Sequence, residues 1–169
     1  IGFARSENID LVVVGPEAPL VAGVADAIRA AGIAVFGPGA QGARLEGSKS
    51  FSKEFMLAHG LPTARYKKCT SQDEAMDYLH EAGAPIVVKA DGLAAGKGVV
   101  VAEGMEEAEE AVRDCFAGDF GEAGSVVVIE EMLEGPECSM LAFLSESKAL
   151  AMPCAHDHKL AYDDDLGPN

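Results

Sequence analysis

The stretch from Asp91 to Gly98 (DGLAAGKG) has the composition of a loop that could hold a phosphate. Its glycines and small alanines let backbone N–H groups come close to an anion, and Lys97 adds a point charge. It is not a Walker A loop, because only three residues separate Gly92 from Gly96 and Gly98 stands where a magnesium-binding Ser or Thr would be. From the residues alone, the alternative is a plain glycine-rich hairpin tip.

Two other segments carry charges that could serve the same site. Lys89 ends the apolar run before the loop and is expected to point into the same space. Glu130 and Glu131 close a later apolar run, and a turn containing Glu137 follows them. Carboxylates at a strand end also occur on ordinary solvated surfaces, but their combination with Lys89 and a glycine loop favours a binding site.

A second glycine pattern, GPGAQG at 37–42, matches the G-x-G-x-x-G spacing after a predicted strand. A dinucleotide site would also need an acidic residue about 20 residues further on, to hold the ribose. The stretch from Gly60 to Arg65 contains none, so we predict a simple turn.

Metal binding is not indicated by the spacing of the remaining ligand-type residues. The pair His156-x-His158 lacks further clustered ligands, and the four cysteines show neither C-x-x-C nor zinc-like spacing. We therefore predict no metal site, and we expect the cysteines to be small core residues in a reducing compartment.

The elements that position these residues are predicted from hydrophobic spacing. Apolar runs at 10–14 and 33–36, with helical spacing over 19–31 between them, predict a parallel β-α-β unit. Helices are predicted at 48–59, at 71–81 after the capping box Ser71-x-x-Glu74, and at 103–117. Further strands are predicted at 85–89, 99–101, 126–131 and 138–144. The predicted fold class is α/β followed by α+β.

Composition and charge exclude several function classes. The 169 residues carry a formal net charge of −15, and 49% of them are hydrophobic. The apolar content argues against disorder, and the negative charge argues against charge-driven binding to nucleic acid or anionic membranes. Apolar runs are too short for a membrane span, and the first residues lack a signal-peptide layout. We therefore expect a cytoplasmic protein with no nucleic-acid or membrane partner.

The excess of acid is unevenly distributed. Residues 98–137 carry a net charge of −11, whereas residues 44–97 carry +1. The near-neutral segment contains the lysines Lys49, Lys53, Lys67, Lys68, Lys89 and Lys97. Cations that a phosphate would need are therefore concentrated in this segment.

Taken together, the segments resemble the glycinamide ribonucleotide synthetase family of the ATP-grasp superfamily. The resemblance is carried by GPEAPL (15–20), EGSKSFSKEFMLAHGLPTA (46–64), APIVVKADGLAAGKGVVVA (84–102), VVIEEMLEGPECS (127–139), DHK (157–159) and GPN (167–169). It covers nearly the whole chain. The resemblance implies part of a parallel α/β N-terminal domain at 1–47, a helical linker opening the ATP-grasp fold at 48–84, the small ATP-grasp subdomain at 85–145, and the start of a second subdomain at 146–169.

The resemblance also implies which residues contact ATP. The glycine loop would be a lid over the triphosphate, with Gly92, Gly96, Lys97 and Gly98 in it. Lys89 would reach the α- and β-phosphates. Lys49 occupies a further nucleotide-contacting position, although a lysine on an amphipathic helix is also compatible with an ordinary surface residue.

The adenosine and the other substrates are assigned by the same resemblance. Glu130 and the backbone from Glu131 to Leu133 would face adenine, and Glu137 would accept hydrogen bonds from the ribose. The residues expected near the substrates are Gly15, Pro16, Glu17, Asp157, His158, Lys159, Pro168 and Asn169. The first three also follow the carboxyl end of a predicted parallel strand, where α/β sheets bind ligands.

The implied reaction joins glycine to 5-phosphoribosylamine and converts ATP to ADP and phosphate, giving glycinamide ribonucleotide in purine biosynthesis. Glycine's carboxylate would attack the γ-phosphate, and the amine would displace phosphate from the resulting acyl phosphate. Because positioning and cations can carry this chemistry, no catalytic side chain is assigned. The Mg²⁺ or Mn²⁺ ligands of the family are expected beyond Asn169.

The two ends of the chain predict a central fragment of a longer enzyme. Ile1 is not an initiator methionine, and GPN (167–169) has the chemistry of a loop. One β-α-β unit also cannot cover both faces of a parallel sheet. The partner of the fragment would be the remainder of the same polypeptide, without which this chain is expected to be inactive. Two alternatives stay open: a non-catalytic nucleotide-binding fragment, and another ATP-grasp carboxylate–amine ligase.

Overall fold

The protein is described here by a computed structural model covering residues 1–94, 98–118, 120–156 and 162. The chain divides into two compact units, Ile1–Met132 and Leu133–Asn169. Among the described residues, no helix combines the length and the apolar character that a bilayer crossing requires.

The first unit begins with the predicted parallel β-α-β arrangement. Its elements are α1 (Gly2–Ser6), β1 (Leu11–Val13), α2 (Glu17–Val21), α3 (Val24–Ala30), β2 (Ala34–Phe36) and α4 (Ala40–Gly47). β1 and β2 pair in parallel, which confirms the prediction. The prediction of one helix over 19–31 is wrong, because Gly23 takes a left-handed φ of 85° between α2 and α3.

A four-stranded antiparallel sheet forms the rest of the first unit, in the order β3-β6-β4-β5. Its strands are β3 (Tyr66–Cys69), β4 (Ile86–Ala90), β5 (Val99–Ala102) and β6 (Val127–Glu131). The helices between them are α5 (Lys49–Ala58), α6 (Gln72–Ala82) and α7 (Met105–Ala117), with a 3-10 turn at Gly121–Ser125. This combination of sheets confirms the predicted fold class. The sequence pattern predicts no strand at β3, because two adjacent lysines in YKKC hide its alternation.

One face of this sheet packs on α6 and α7 and forms the main core. Val88 of β4, Ile129 of β6 and Leu79 of α6 are fully buried there. Since successive strand residues point to opposite faces, the intervening residues Lys89 and Glu130 lie on the other face. The alternation of the two central strands therefore separates an apolar core from a charged surface.

The second unit contains a two-stranded antiparallel hairpin of β7 (Ala142–Ser145) and β8 (Lys148–Ala151). The strand predicted at 138–144 thus begins later than expected, and its partner β8 was not predicted. Cys138 and Cys154 in this unit are exposed, so their prediction as core residues is wrong. It is confirmed for Cys69 and Cys115, which are buried in the first unit.

Candidate functional site

A cleft of about 660 Å³ in the first unit brings several of the predicted site residues together. Its lining includes Glu17 at the start of α2, Lys49 and Lys53 on α5, and Gly92 and Gly98 at the two ends of the glycine loop. This volume lies within the range of ordinary small-molecule sites. Residues predicted to contact phosphate and a residue predicted to contact another substrate thus share one cleft.

The base of the glycine loop is joined to the start of α5 through Asp91. Its carboxylate accepts hydrogen bonds from Ser48 Oγ, at 2.9 Å, and from the Ser50 N–H. Its backbone carbonyl accepts the Lys49 N–H at 3.0 Å, and Lys49 Nζ donates to the Gly92 carbonyl at 3.0 Å. The loop and the helix therefore enter the cleft as one hydrogen-bonded unit.

The surroundings of Lys49 are suited to an anionic ligand. Burial lowers the pKa of the Lys49 ammonium, the Asp91 carboxylate acts to raise it, and the neighbouring Lys89 lowers it further. Lys49 is also the first residue of α5, at the positive end of the helix dipole, although the first N–H groups of this helix already donate to Asp91 and Ser48. A partly desolvated ammonium beside a second cation is stabilised when an anion binds.

Gly92 and Gly98 are required by close packing at the base of the loop. A Cβ added at Gly92 would lie 2.8 Å from Ala123 Cβ, and one added at Gly98 would lie 2.7 Å from Ala94 Cβ. The Gly98 carbonyl also accepts the Ala90 N–H at 2.8 Å, which closes the hairpin between β4 and β5. Gly96 and Lys97 lie outside the described residues.

Lys89 and Glu130 form an ion pair on the charged face of the sheet. In the antiparallel register Val87 pairs with Glu130 and Lys89 pairs with Val128, so the two charges are diagonal neighbours. Glu130 is 3% exposed, and each of its oxygens contacts a different ammonium: Oε1 contacts Lys89 and Oε2 contacts Lys53. Beyond its ion pair, Oε1 has no hydrogen-bond partner in the described part of the chain.

Lys53 is the site residue that the sequence reasoning did not single out. It is 9% exposed, its Nζ donates to Thr63 Oγ1 at 2.8 Å, and Nζ lies 5.7 Å from the centre of the Tyr66 ring. The signal in the sequence is spacing, because Lys49 and Lys53 are four residues apart and share one face of a predicted helix.

Glu131 is held by Arg65 at the end of β6. Oε1 accepts the Arg65 backbone N–H at 2.9 Å, Oε2 accepts Arg65 Nε at 2.7 Å, and the Glu131 N–H donates to the Arg65 carbonyl at 2.9 Å. The hydrogen bond from the Arg65 backbone, followed by that from its side chain, holds the pKa of Glu131 below its ordinary value. The backbone predicted to face adenine therefore leaves the sheet from a fixed point.

The remaining predicted residues lie in three parts of the chain. Gly15 and Pro16 are exposed and lead into Glu17. Leu133 and Glu137 are exposed residues of the second unit. The predicted substrate contacts outside the described residues are Asp157, His158, Lys159, Pro168 and Asn169.

An ATP-grasp domain model matches residues 47–169, which places the chain among the ATP-grasp proteins, and solved structures share its fold. An ATP-grasp protein titled as a RimK domain protein from Sphaerobacter thermophilus has a TM-score of 0.63 at 18% identity, covering 79% of this chain and 50% of that one. The biotin carboxylase domain of the Hydrogenobacter thermophilus 2-oxoglutarate carboxylase has a TM-score of 0.75 at 20% identity, covering 96% and 37%. These similarities concern the fold alone.

The chain belongs to the phosphoribosylglycinamide synthetase family. The model of the family's N domain matches residues 1–46, and that of its ATP-grasp (A) domain matches residues 47–169. The phosphoribosylamine–glycine ligase of Escherichia coli K12 is 55% identical over 170 residues, covering 100% of this chain and 40% of that protein. The crystal structure of the Thermotoga maritima phosphoribosylamine–glycine ligase has 38% identity and a TM-score of 0.74, covering 80% and 35%. This chain therefore spans about 40% of the length of the curated relatives that it matches.

Proposed function

We propose that this chain supplies the nucleotide site of an enzyme that joins glycine to 5-phosphoribosylamine at the expense of ATP. The products are glycinamide ribonucleotide, ADP and phosphate. The observation that carries the proposal is the convergence of Lys49 and the glycine-loop ends on one cleft, with Lys89 beside them on the sheet, in a member of this family.

The cationic groups give the chain its part in the chemistry. The ATP phosphates would lie against Lys49, Lys89 and the N–H groups of the glycine loop, with Lys97 adding a further charge. Glycine's carboxylate oxygen attacks the γ-phosphorus and ADP leaves. The amine nitrogen of 5-phosphoribosylamine then attacks the acyl carbon, and inorganic phosphate leaves. Fixed positive groups stabilise the charge that moves onto the leaving oxygens, so no protein nucleophile takes part.

The adenosine and the second substrate would occupy the borders of the same cleft. Glu130 and the backbone after Glu131 would face adenine, with Glu137 at the ribose. Glu17 already lines the cleft, which supports a substrate site next to the phosphates. The assignments of Asp157 and Lys159 rest on the family resemblance.

The divalent cation of ATP-grasp enzymes is not provided for by the described residues. Among them, no group of three or more His, Cys, Asp or Glu side chains is placed to hold a metal ion. These residues therefore offer no cage of protein ligands for the cation, and no step above depends on one.

The test is ADP release by the complete enzyme that carries this chain. ADP should be released when ATP, 5-phosphoribosylamine and glycine are present together, and alanine or serine should not replace glycine. Release that depends on a different acid would favour another carboxylate–amine ligase. ATP binding without any release under all these conditions would favour a non-catalytic nucleotide-binding role.

A further inference from the structure

We propose that Lys53 is a positioning residue of the nucleotide site, which remains the counterion of Glu130 and so frees the Lys89 ammonium for the nucleotide phosphates. This inference rests on the proposed function, because it requires a nucleotide in the cleft.

The charge balance of the three side chains is the starting point. Glu130 carries one negative charge and touches two ammonium groups, so the cluster formed by Lys53, Lys89 and Glu130 has a net charge of +1. An anion that binds Lys89 competes with Glu130 for the charge of that ammonium. Glu130 is 3% exposed, and a carboxylate buried to that extent is strongly destabilised without a partner.

The surroundings of the two lysines indicate which one remains paired with Glu130 when a nucleotide binds. Lys53 Nζ has fixed partners besides Glu130, donating to Thr63 Oγ1 at 2.8 Å and to the Ala64 carbonyl at 3.5 Å. The Lys53 side chain is 11% exposed, whereas that of Lys89 is 29% exposed. Lys53 is therefore anchored in the protein, and Lys89 has the more open side toward an incoming ligand.

Removal of Lys53 should turn Glu130 into a competitor of the nucleotide. In Lys53→Met, Lys89 would be the one remaining ammonium of the cluster, and phosphates would have to share its single positive charge with a buried carboxylate or take it away. Loss of a charge-assisted hydrogen bond weakens binding about tenfold to a hundredfold. We expect that loss for ADP, and less than about a twofold change for adenosine, which has no phosphate.

A double-mutant cycle separates this role from simple packing. ADP binding by calorimetry and adenosine binding by competition would be measured on the complete enzyme for wild type, Lys53→Met, Glu130→Gln and the double variant. Glutamine at position 130 removes the competing charge, so the ADP affinity of the double variant should be within about threefold of that of Glu130→Gln. An equal loss of ADP and adenosine binding in Lys53→Met, or no rescue in the double variant, would overturn the inference.

The experiment also decides if Lys53→Met does not fold or if wild type does not bind ADP. If Lys53→Met does not fold, the comparison of the double variant with Glu130→Gln decides alone, because that pair contains no buried unpaired carboxylate. A difference of more than about tenfold between those two would overturn the inference, since Lys53 would then act other than through Glu130. If wild type itself does not bind ADP, the proposed function fails together with the inference, an outcome distinct from a failure confined to Lys53.

Discussion

Replacement of Asp91 by alanine should both destabilise the protein and loosen the base of the glycine loop. The carboxylate accepts two hydrogen bonds at the first turn of α5, from Ser48 Oγ and the Ser50 N–H, in a partly buried position. A side chain that satisfies a helix N-terminal N–H contributes about 1 kcal/mol, and a hydrogen bond to a charged group contributes about 1.5–3 kcal/mol. We therefore expect Asp91→Ala to lower the free energy of unfolding by about 2–4 kcal/mol.

Urea denaturation followed by circular dichroism measures this loss. With a slope of about 2 kcal/mol per molar urea, the midpoint should fall by about 1–2 M. Asp77→Ala is the matched control, because Asp77 is exposed in the middle of α6 and should change stability by less than about 0.5 kcal/mol. A decrease for Asp91→Ala no larger than that of the control would refute the account of how loop and helix are joined.

Three individual residues, Lys89, Cys69 and Glu131, can be tested separately. Lys89→Met in the complete enzyme should raise the KM for ATP about tenfold or more, because a phosphate-facing cation is lost, whereas Lys148→Met on exposed β8 should not; equal kinetics would contradict the role of Lys89. Burial raises the pKa of the Cys69 thiol to about 11, so iodoacetamide at pH 8 should label Cys69 only after unfolding, whereas the exposed Cys138 and Cys154 should react in the folded protein; rapid labelling of Cys69 itself, located by peptide mapping, would contradict its burial. The contacts with Arg65 that lower the pKa of Glu131 stabilise the fold at pH values above the ordinary pKa of 4.5, and this stabilisation is lost as the pH falls through the lowered pKa. Plots of unfolding free energy against pH for wild type and Glu131→Gln should therefore converge at acid pH. A difference that stays constant with pH would exclude the contact with Arg65 as the cause.

The sequence was sufficient to predict those structural features that a single strand, loop or helix determines by itself. The apolar run ending at Lys89 predicted β4, and the capping box predicted that Ser71 caps α6. Ser71 Oγ indeed accepts the Glu74 N–H at 3.2 Å. These features depend on local spacing and local hydrogen bonds, which a sequence contains.

Features that depend on tertiary contacts were not predictable in the same way. The pairing of Lys89 with Glu130 depends on the register of β4 against β6, and these two strands are far apart in the chain. Lys53 has the sequence pattern of a surface lysine, and only the approach of α5 to the charged face of the sheet makes it a buried partner of Glu130. The break at Gly23 was missed because apolar spacing continues through it.

The proposed nucleotide site places the phosphates between the glycine loop, Lys49 and Lys89. A crystal structure of the complete enzyme with ADP would locate them. We expect the diphosphate within hydrogen-bond distance of the Lys49 and Lys89 ammonium groups and of backbone N–H groups in the loop between β4 and β5. A diphosphate bound elsewhere, with Lys89 still engaged only by Glu130, would contradict this placement.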